Sequence, residues 1–516
     1  MKWVPRLLAL LLLAPLLVVL TAPLHTPAGE WNFVVRGLLG DHLRDTGLLL
    51  LVTVPLALAL GTTAAWLIGA FDFGGRAFFR WALVLPLALP TYISAITYAA
   101  LLGPTGSIKL ALHLPFDVMN LPGLGCVLAF ALFPYVYLPA RAAFSTGMAP
   151  QLDAARMLGG GAMRRFLRVA APMARPAIAG GSFLVIMEVL NDYGAVKYYG
   201  VRTLTAGIFR AWGGLYDVGS ALRLGALLLL LVLMLLWFEG RARSRAMHTT
   251  THRTVVRVRL KGIHAAAATI FCALVLGAGF LLPVVAILHD ALRTGPATPW
   301  NDVLPAIRNT LLVGTLAAVA TLTIAVMLAF AERRQRGRLR IARWAGLGYA
   351  VPGAVIAIGV MSLAGWTGEF TGMVLIGTMG LLVYAYAVRF LALAGQPLRA
   401  GLTQQSIELD DSARLLGATT LRTFLHVNLP LLRPALLAAA LLVLMEVVKE
   451  LPLTLILRPF DLDTLSTQVF EQARIEQWAG AAVPSLLIVA CGLVPLIALD
   501  RVLDKGPGHT ARHPHP

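Results

Sequence analysis

"LDAARMLGGGAMRRFLRVAAPMARPAI" (152–178) is a polar, basic segment set between two long apolar runs, and "LDDSARLLGATTLRTFLHVNLPLLRPAL" (409–436) repeats its pattern near the other end of the chain. Asp153, Ala155, Arg156, Leu158, Gly159, Phe166, Leu167, Val169, Pro172, Arg175 and Pro176 return 258 residues later as Asp411, Ala413, Arg414, Leu416, Gly417, Phe424, Leu425, Val427, Pro430, Arg433 and Pro434. The register continues from "IMEV" (186–189) to "LMEV" (444–447). "TLTAGIF" (203–209) then meets "TLSTQVF" (464–470) at a spacing of 261, so the second half has gained three residues in an outer loop. The chain reads as two homologous halves.

What surrounds the repeated segment is apolar. The 516 residues are 58% hydrophobic and 13% charged, with a mean hydropathy of +0.78. Soluble domains carry roughly a quarter of charged residues, so the composition specifies an all-α integral membrane protein. Runs of about 20 apolar residues, the length that crosses a hydrocarbon core of about 30 Å, recur along the chain. We expect twelve spans, at 6–24, 47–70, 81–103, 121–143, 177–197, 219–238, 263–289, 308–330, 343–366, 372–393, 435–457 and 481–500. Six spans per half make the repeats parallel. The expected organisation is a first repeat at 1–240 with its polar loop at 151–176, a basic linker at 241–262, a second repeat at 263–505 with its loop at 409–434, and a tail at 506–516.

The net charge of +18 raises the question of nucleic acid, but the cations sit in short loops beside apolar spans without interleaved aromatic residues. Arg164, Arg165, Arg168, Arg241 through Lys261, Arg333 through Arg343 and Arg399 through Arg433 all fall on one side of the twelve-span arrangement. The positive-inside rule makes that side, and both termini, cytoplasmic. The opening "MKWVPRLLALLLLAPLLVVLTAP" also fits a cleaved signal peptide; the twelve-span orientation retains it as a helix. Cys126, Cys272 and Cys491 are isolated within expected spans and read as small buried apolar residues.

Within the repeated segment, the spacing of Leu152, Ala155 and Leu158, then of Phe166 and Val169, predicts a short helix, a glycine break at Gly159 or Gly417, and a second amphipathic helix ended by Pro172 or Pro430. Asp153 and Asp411 are expected at the start of the first helix, where exposed amides and the helix dipole favour a carboxylate. One such segment is explained by a loop lying on the bilayer surface. Two at matched positions suit a docking surface for a two-fold partner.

The pattern Asp-Ala-Ala-x3-Gly-x9-Val-x-Ala-Pro, with Asp-Ser-Ala-x3-Gly-x9-Val-x-Leu-Pro in the second half, resembles the EAA loop of bacterial ABC importer permeases. Both copies place Asp where that family usually has Glu. The segments "MEVLNDYGAVKYYGVRTLTAGIFRAW" (187–212) and "MEVVKELPLTLILRPFDLDTLSTQVFEQA" (445–473) are similar to those of the fused, two-copy permeases of ferric iron uptake; thiamine and polyamine permeases share the loop and differ more in these segments. The resemblance implies a bacterial inner-membrane subunit driven by a homodimeric cytoplasmic ATPase and fed by a periplasmic binding protein. It implies ATPase coupling through Asp153, Ala154, Ala155, Gly159, Pro172, Asp411, Ser412, Ala413, Gly417 and Pro430. No cofactor is expected on this chain, which carries no G-x4-G-K-[S/T] phosphate loop, so ATP belongs to the partner. No hydrolase or zinc signature accompanies it, and the histidines of the tail, His509, His513 and His515, read as a disordered terminus.

Acids follow each loop. Glu188 and Asp192 are four apart, as are Glu446 and Glu450 at the same 258 spacing, which predicts that each pair shares a helix face. Counted from Pro176 at 1.5 Å per residue, Glu188 lies about 18 Å and Asp192 about 24 Å along the span. Acids at such depth face a wet pathway or a partner. A translocation pathway is therefore expected at Glu188, Asn191, Asp192, Tyr193, Glu446, Lys449 and Glu450, an anionic vestibule of hard oxygen ligands for a hard cation; the competing reading is structural pairing with Lys197, Lys449 or an arginine. Gly194 and Pro452 should end or bend the helices there and expose carbonyls. Topology alone equally allows a stand-alone secondary transporter, which has no use for twin docking loops. An enzyme is disfavoured, since no activated nucleophile or metal set is visible.

Overall fold

A computed structural model describes residues 4–25, 29–145, 148–159, 161–244, 255–294, 300–334 and 346–504. The expected tail at 506–516 and residues 245–254 of the expected linker lie outside the described residues. The first half contains α1 (Val4–Thr21), α2 (Leu39–Ala70), α3 (Thr91–Leu102), α4 (Leu121–Ser145), α5 (Ala149–Met157), α6 (Ala171–Asn191), α7 (Gly194–Tyr198), α8 (Leu204–Phe209) and α9 (Val218–Ser244). The second contains α10 (Gly262–Leu276), α11 (Leu282–Thr294), α12 (Trp300–Arg334), α13 (Gly353–Thr371), α14 (Met379–Gln404), α15 (Ile407–Leu415), α16 (Arg433–Lys449), α17 (Pro452–Leu457), α18 (Leu465–Arg474) and α19 (Trp478–Asp504). The all-α membrane fold is as expected.

Ten helices among the described residues are long and apolar enough to span a bilayer. An eleventh is the pair Thr420–Leu431 and Arg433–Lys449, bent by 71°, which covers the start of the span expected at 435–457. The last expected span, 481–500, lies in α19, whose described apolar stretch Gly480–Val494 is shorter than the others. Prolines and glycines move three boundaries. Pro90 and Pro352 hold extended backbone before α3 and α13, so the helices begin at Thr91 and Gly353 rather than at 81 and 343. Gly372 and Gly377 both adopt left-handed φ, and the span expected at 372–393 starts only at Met379.

The chain forms two compact units that do not coincide with the sequence halves. One comprises Met1–Leu39, Gly207–Leu229 and Thr298–Glu476; the other comprises Gly40–Ala206, Leu230–Ala297 and Gln477–Pro516. In the first unit α12, α14 and α16 pack on one another, and α1 lies along α13. Tyr386 and Phe390 stack in this core with ring centroids 6.0 Å apart. In the second unit α6 packs on α4, where Gly181 brings backbone to backbone: a side chain there would meet the Tyr135 carbonyl at 2.7 Å.

Two short strands stitch the second unit. Val258–Arg259 (β2) pairs in parallel with Phe71–Asp72 (β1), and Leu260 N–H donates to Asp72 O at 2.8 Å. The end of the basic linker is thus a strand paired just beyond the end of α2. Cys272 is buried, but Cys126 is exposed on α4, contrary to the expected burial. A helix in lipid gains nothing by hiding an apolar side chain from its solvent.

Lengthening Gly181 to leucine should destabilise the second unit by about 1–3 kcal/mol, the cost of overpacking, measured as a fall in detergent-solubilised melting temperature.

Candidate coupling and translocation sites

Both repeated loops fold the same way, at identical spacing. α5 and α15 are nine-residue helices, each followed by a left-handed glycine, Gly159 at φ +71° and Gly417 at φ +80°. At Gly417 the helix end is closed by Gly417 N–H to Arg414 O at 2.9 Å and Ala418 N–H to Ala413 O at 3.0 Å, the pairing that satisfies carbonyls past a left-handed residue. Gly159 N–H makes the matching bond to Arg156 O at 2.9 Å. Nothing lies within 4 Å of a side chain built at either glycine, so backbone conformation rather than space demands the residue.

Three expectations for the loop are corrected. Asp153 and Asp411 sit mid-helix, because α5 begins at Ala149 with Pro150 in its first turn and α15 is capped by Ser406, whose Oγ accepts from Glu408 N–H at 3.2 Å. The aspartates instead pair along the helix, Asp153 with Arg156 at 3.0 Å and Asp411 with Arg414 at 3.5 Å. Pro172 does not end the second helix, which runs on to Asn191, whereas the helix that contains Pro430 stops one residue later, at Leu431, before a 71° bend. A π turn precedes each, Phe166–Ala170 and Phe424–Asn428, and the widened bonds Ala171 N–H to Phe166 O and Leu429 N–H to Phe424 O carry the backbone past the proline ring. Leu152 is buried, but Leu158, placed with it on one apolar face, is 86% exposed.

That exposure is shared across the halves. Met157 and Leu158 are 89% and 86% exposed, and their counterparts Leu415 and Leu416 are both 89% exposed. Ala154 and Ser412 are exposed, Ala155 and Ala413 half-buried. Each loop tip therefore holds two bulky apolar side chains out of its own fold, rimmed by an Asp–Arg pair.

The acids divide by position. α6 ends at Asn191 and α16 at Lys449, so Asp192 and Glu450 are extended residues beyond the helices and share no face with Glu188 and Glu446. Both are buried caps of the next short helix: Asp192 Oδ1 accepts from Ala195 N–H at 2.9 Å and Glu450 Oε1 from Leu453 N–H at 3.0 Å. Gly194 and Pro452 open those helices as expected, but the carbonyls beside the break are taken internally. Leu190 O accepts from Thr205, and Glu450 O from Thr454 and Ser466. Glu450 also forms a buried ion pair with Arg389 at 3.2 Å. Among the half-buried acids, Glu188 accepts from the Tyr135 hydroxyl at 3.0 Å, and Glu446 pairs with Lys449 at 2.8 Å. Tyr193 is buried, Asn191 half-buried and Lys197 exposed.

A polar cluster beside α15 escaped the sequence reading. Arg333 and Asn428 both bond Asp410, which occupies the position held by Leu152 in the first half. A charge in a core-facing register was the available signal. Burial alone would raise the Asp410 pKa, but the Arg333 and Asn428 bonds outweigh it and hold the carboxyl below its ordinary value. The contribution of this cluster is full above about pH 4 and is lost as pH falls through the lowered value. A cleft of about 410 Å³, walled by Glu332, Arg399 and Asp411 among others, opens beside it.

Residues 321–508 match the family described as binding-protein-dependent transport system inner membrane component. The Fe(3+)-transport system permease protein FbpB 2 of Haemophilus influenzae is 27% identical over 485 residues, 92% of each chain. Along nearly its whole length the chain is thus similar to ABC importer permeases. The putative 2-aminoethylphosphonate transport system permease protein PhnV of Salmonella typhimurium is 26% identical over 246 residues, 44% of this chain and 90% of that protein. The sulfate transport system permease protein CysW of Escherichia coli is 28% identical over 154 residues, 30% of this chain and 53% of that protein. These relatives are transport permeases of multi-pass membrane type, a family that works with ATPase and binding-protein partners.

Two outcomes follow for this permease. Gly159→Ala with Gly417→Ala should leave membrane insertion intact while adding roughly 1–2 kcal/mol of left-handed strain per site, read as a drop in transport at unchanged protein level. Glu450→Gln, which strands Arg389, should cost about 3–5 kcal/mol of stability in detergent melting, more than Glu446→Gln at its less deeply buried pair.

Proposed function

We propose that this permease imports ferric iron. In this reading the sequence segments 1–240 and 263–505 are two permease repeats, and α5 and α15 are coupling helices that each dock one copy of a separate cytoplasmic ATPase. The basic loops and both termini face the cytoplasm, and a periplasmic binding protein delivers the metal on the other side. The observation that carries the docking is the matched exposure of Met157 and Leu158 with Leu415 and Leu416. Apolar pairs held away from their own fold, in segments too polar to enter a membrane, fit sockets on a soluble two-fold partner. ATP stays on that partner.

The two-repeat reading is supported by PhnV, nearly all of which aligns to less than half of this chain. Iron is supported by similarity to FbpB 2 along 92% of both chains, whereas the sulfate permease aligns to 30% of this one. The half-buried acids Glu188 and Glu446 favour a cation over an oxyanion. We assign the pathway contacts to these two, with Asn191, Tyr193 and Lys449 beside them, and leave Asp192 and Glu450 their capping work.

Replacing Leu158 and Leu416 with aspartate should abolish co-purification of the ATPase; retention would overturn the docking. In a strain lacking the chromosomal copy, the wild-type permease should restore uptake of radioactive ferric iron, and Glu188→Gln with Glu446→Gln should reduce it at unchanged ATPase association. Restoration of sulfate or 2-aminoethylphosphonate uptake without iron uptake would replace the cation by an oxyanion.

A further inference from the structure

Arg333 lies in the last turn of α12 and is turned toward α15. Its Nε donates to Asp410 Oδ2 at 2.8 Å and its Nη2 to Oδ1 at 3.2 Å, a two-pronged grip on one carboxylate. Nη1 also donates to Leu402 O at 2.9 Å and Gln405 O at 3.1 Å, and Nη2 to Ser406 O at 3.1 Å. These five bonds match the five N–H groups a guanidinium owns. Asp410 in turn accepts from Asn428 Nδ2 at 2.9 Å, and Gln405 Nε2 donates to Asn428 O at 3.2 Å. Arg333 therefore joins α12, the end of α14 and α15, and Asp410 extends the set to the π turn through Asn428.

The first half has no equivalent set. The positions of Asp410 and Asn428 are held there by buried Leu152 and Ala170. α5 is tied instead to the linker just ahead of β2, through Arg156 Nη2 to Val256 O at 2.8 Å, next to Val255 N–H on Ser145 O at 3.2 Å. The two loops with the same backbone are thus anchored by different chemistry, one by a clamp on a buried carboxylate and the other by the linker backbone.

We propose that Arg333 is a positioning residue that makes α15 move as one body with α12 and α14, so that work done on α15 by the ATPase reaches the transmembrane helices. This rests on the reading of α15 as a coupling helix. A lysine cannot replace the arginine fully, because an ammonium carries charge without the planar fork. Loss of the clamp frees α15 from its bundle without touching the apolar tip at Leu415 and Leu416, so binding of the ATPase should persist while transmission fails.

The test uses the full-length permease, co-purified with its ATPase in proteoliposomes and supplied with iron-loaded binding protein, and reads iron transported per ATP hydrolysed. A Leu416→Cys cross-link to the ATPase is followed in the same samples. In Arg333→Gln the cross-link should persist and the ratio should fall about tenfold, and Arg333→Lys should recover part of it. An unchanged ratio in Arg333→Gln overturns the proposal. If that variant fails to insert, Arg333→Lys and Asp410→Asn decide: both must lower the ratio, and a wild-type ratio in either overturns it. Arg399→Gln, which alters a more exposed pair 3.6 Å from Glu332, should leave the ratio unchanged. An equal fall there would mark a general charge effect and overturn the assignment. Failure of the cross-link in a chain that still carries Arg333 would instead remove α15 as the dock, and so separates that reading from this one.

Discussion

Each loop continues into its membrane helix through a widened hydrogen bond, Ala171 N–H to Phe166 O in the first half and Leu429 N–H to Phe424 O in the second. A proline follows at the next position in both, where an ordinary α-helix would drive its ring into a carbonyl. The π turn removes that clash and still leaves the backbone paired, which a segment entering lipid requires. Phe166 and Phe424 then anchor the turn from below, 5.4 Å from Trp66 and 4.9 Å from Phe330 by ring centroid. In the first half α6 runs on directly from this joint, and in the second a further bend of 71° at Leu432 separates it from α16.

The halves have kept backbone and changed charge. Asp192 and Glu450 cap the same short helix with the same bond three residues on, yet only Glu450 has an arginine on its other oxygen; the counterpart of Arg389 is Ala131. Glu188 has a tyrosine hydroxyl and, one turn along, Asn191, where Glu446 has Lys449. Leu152 stands for Asp410. Backbone hydrogen bonds in a membrane admit few alternatives, so geometry persists, while each buried charge needs only a local partner and can be exchanged with it.

That difference explains what the sequence made legible. The loop spacing, the glycine breaks and the breaks before Gly194 and Pro452 all rest on backbone rules that act over a few residues, and all are found. Asp153 was misplaced because Pro150 lets a helix start four residues earlier than the aspartate suggests. Pro172 was misread because a proline signals a stop only while the helix stays α. Leu158 obeys helical periodicity with Leu152 but lies in the last turn beside a left-handed glycine, where the chain has already left its own core. The Arg333 cluster joins residues 333, 410 and 428, separations at which periodicity says nothing.

The partners of Glu188 and Glu446 differ in kind. Lys449 supplies a full counter-charge to Glu446 within 2.8 Å. The Tyr135 hydroxyl donates to Glu188 at 3.0 Å, a bond that orients a carboxylate and brings no charge of its own. Removing one member of an ion pair strands the other as an uncompensated charge, whereas removing a hydroxyl donor does not. Equivalent positions in the two halves therefore need not do equivalent work.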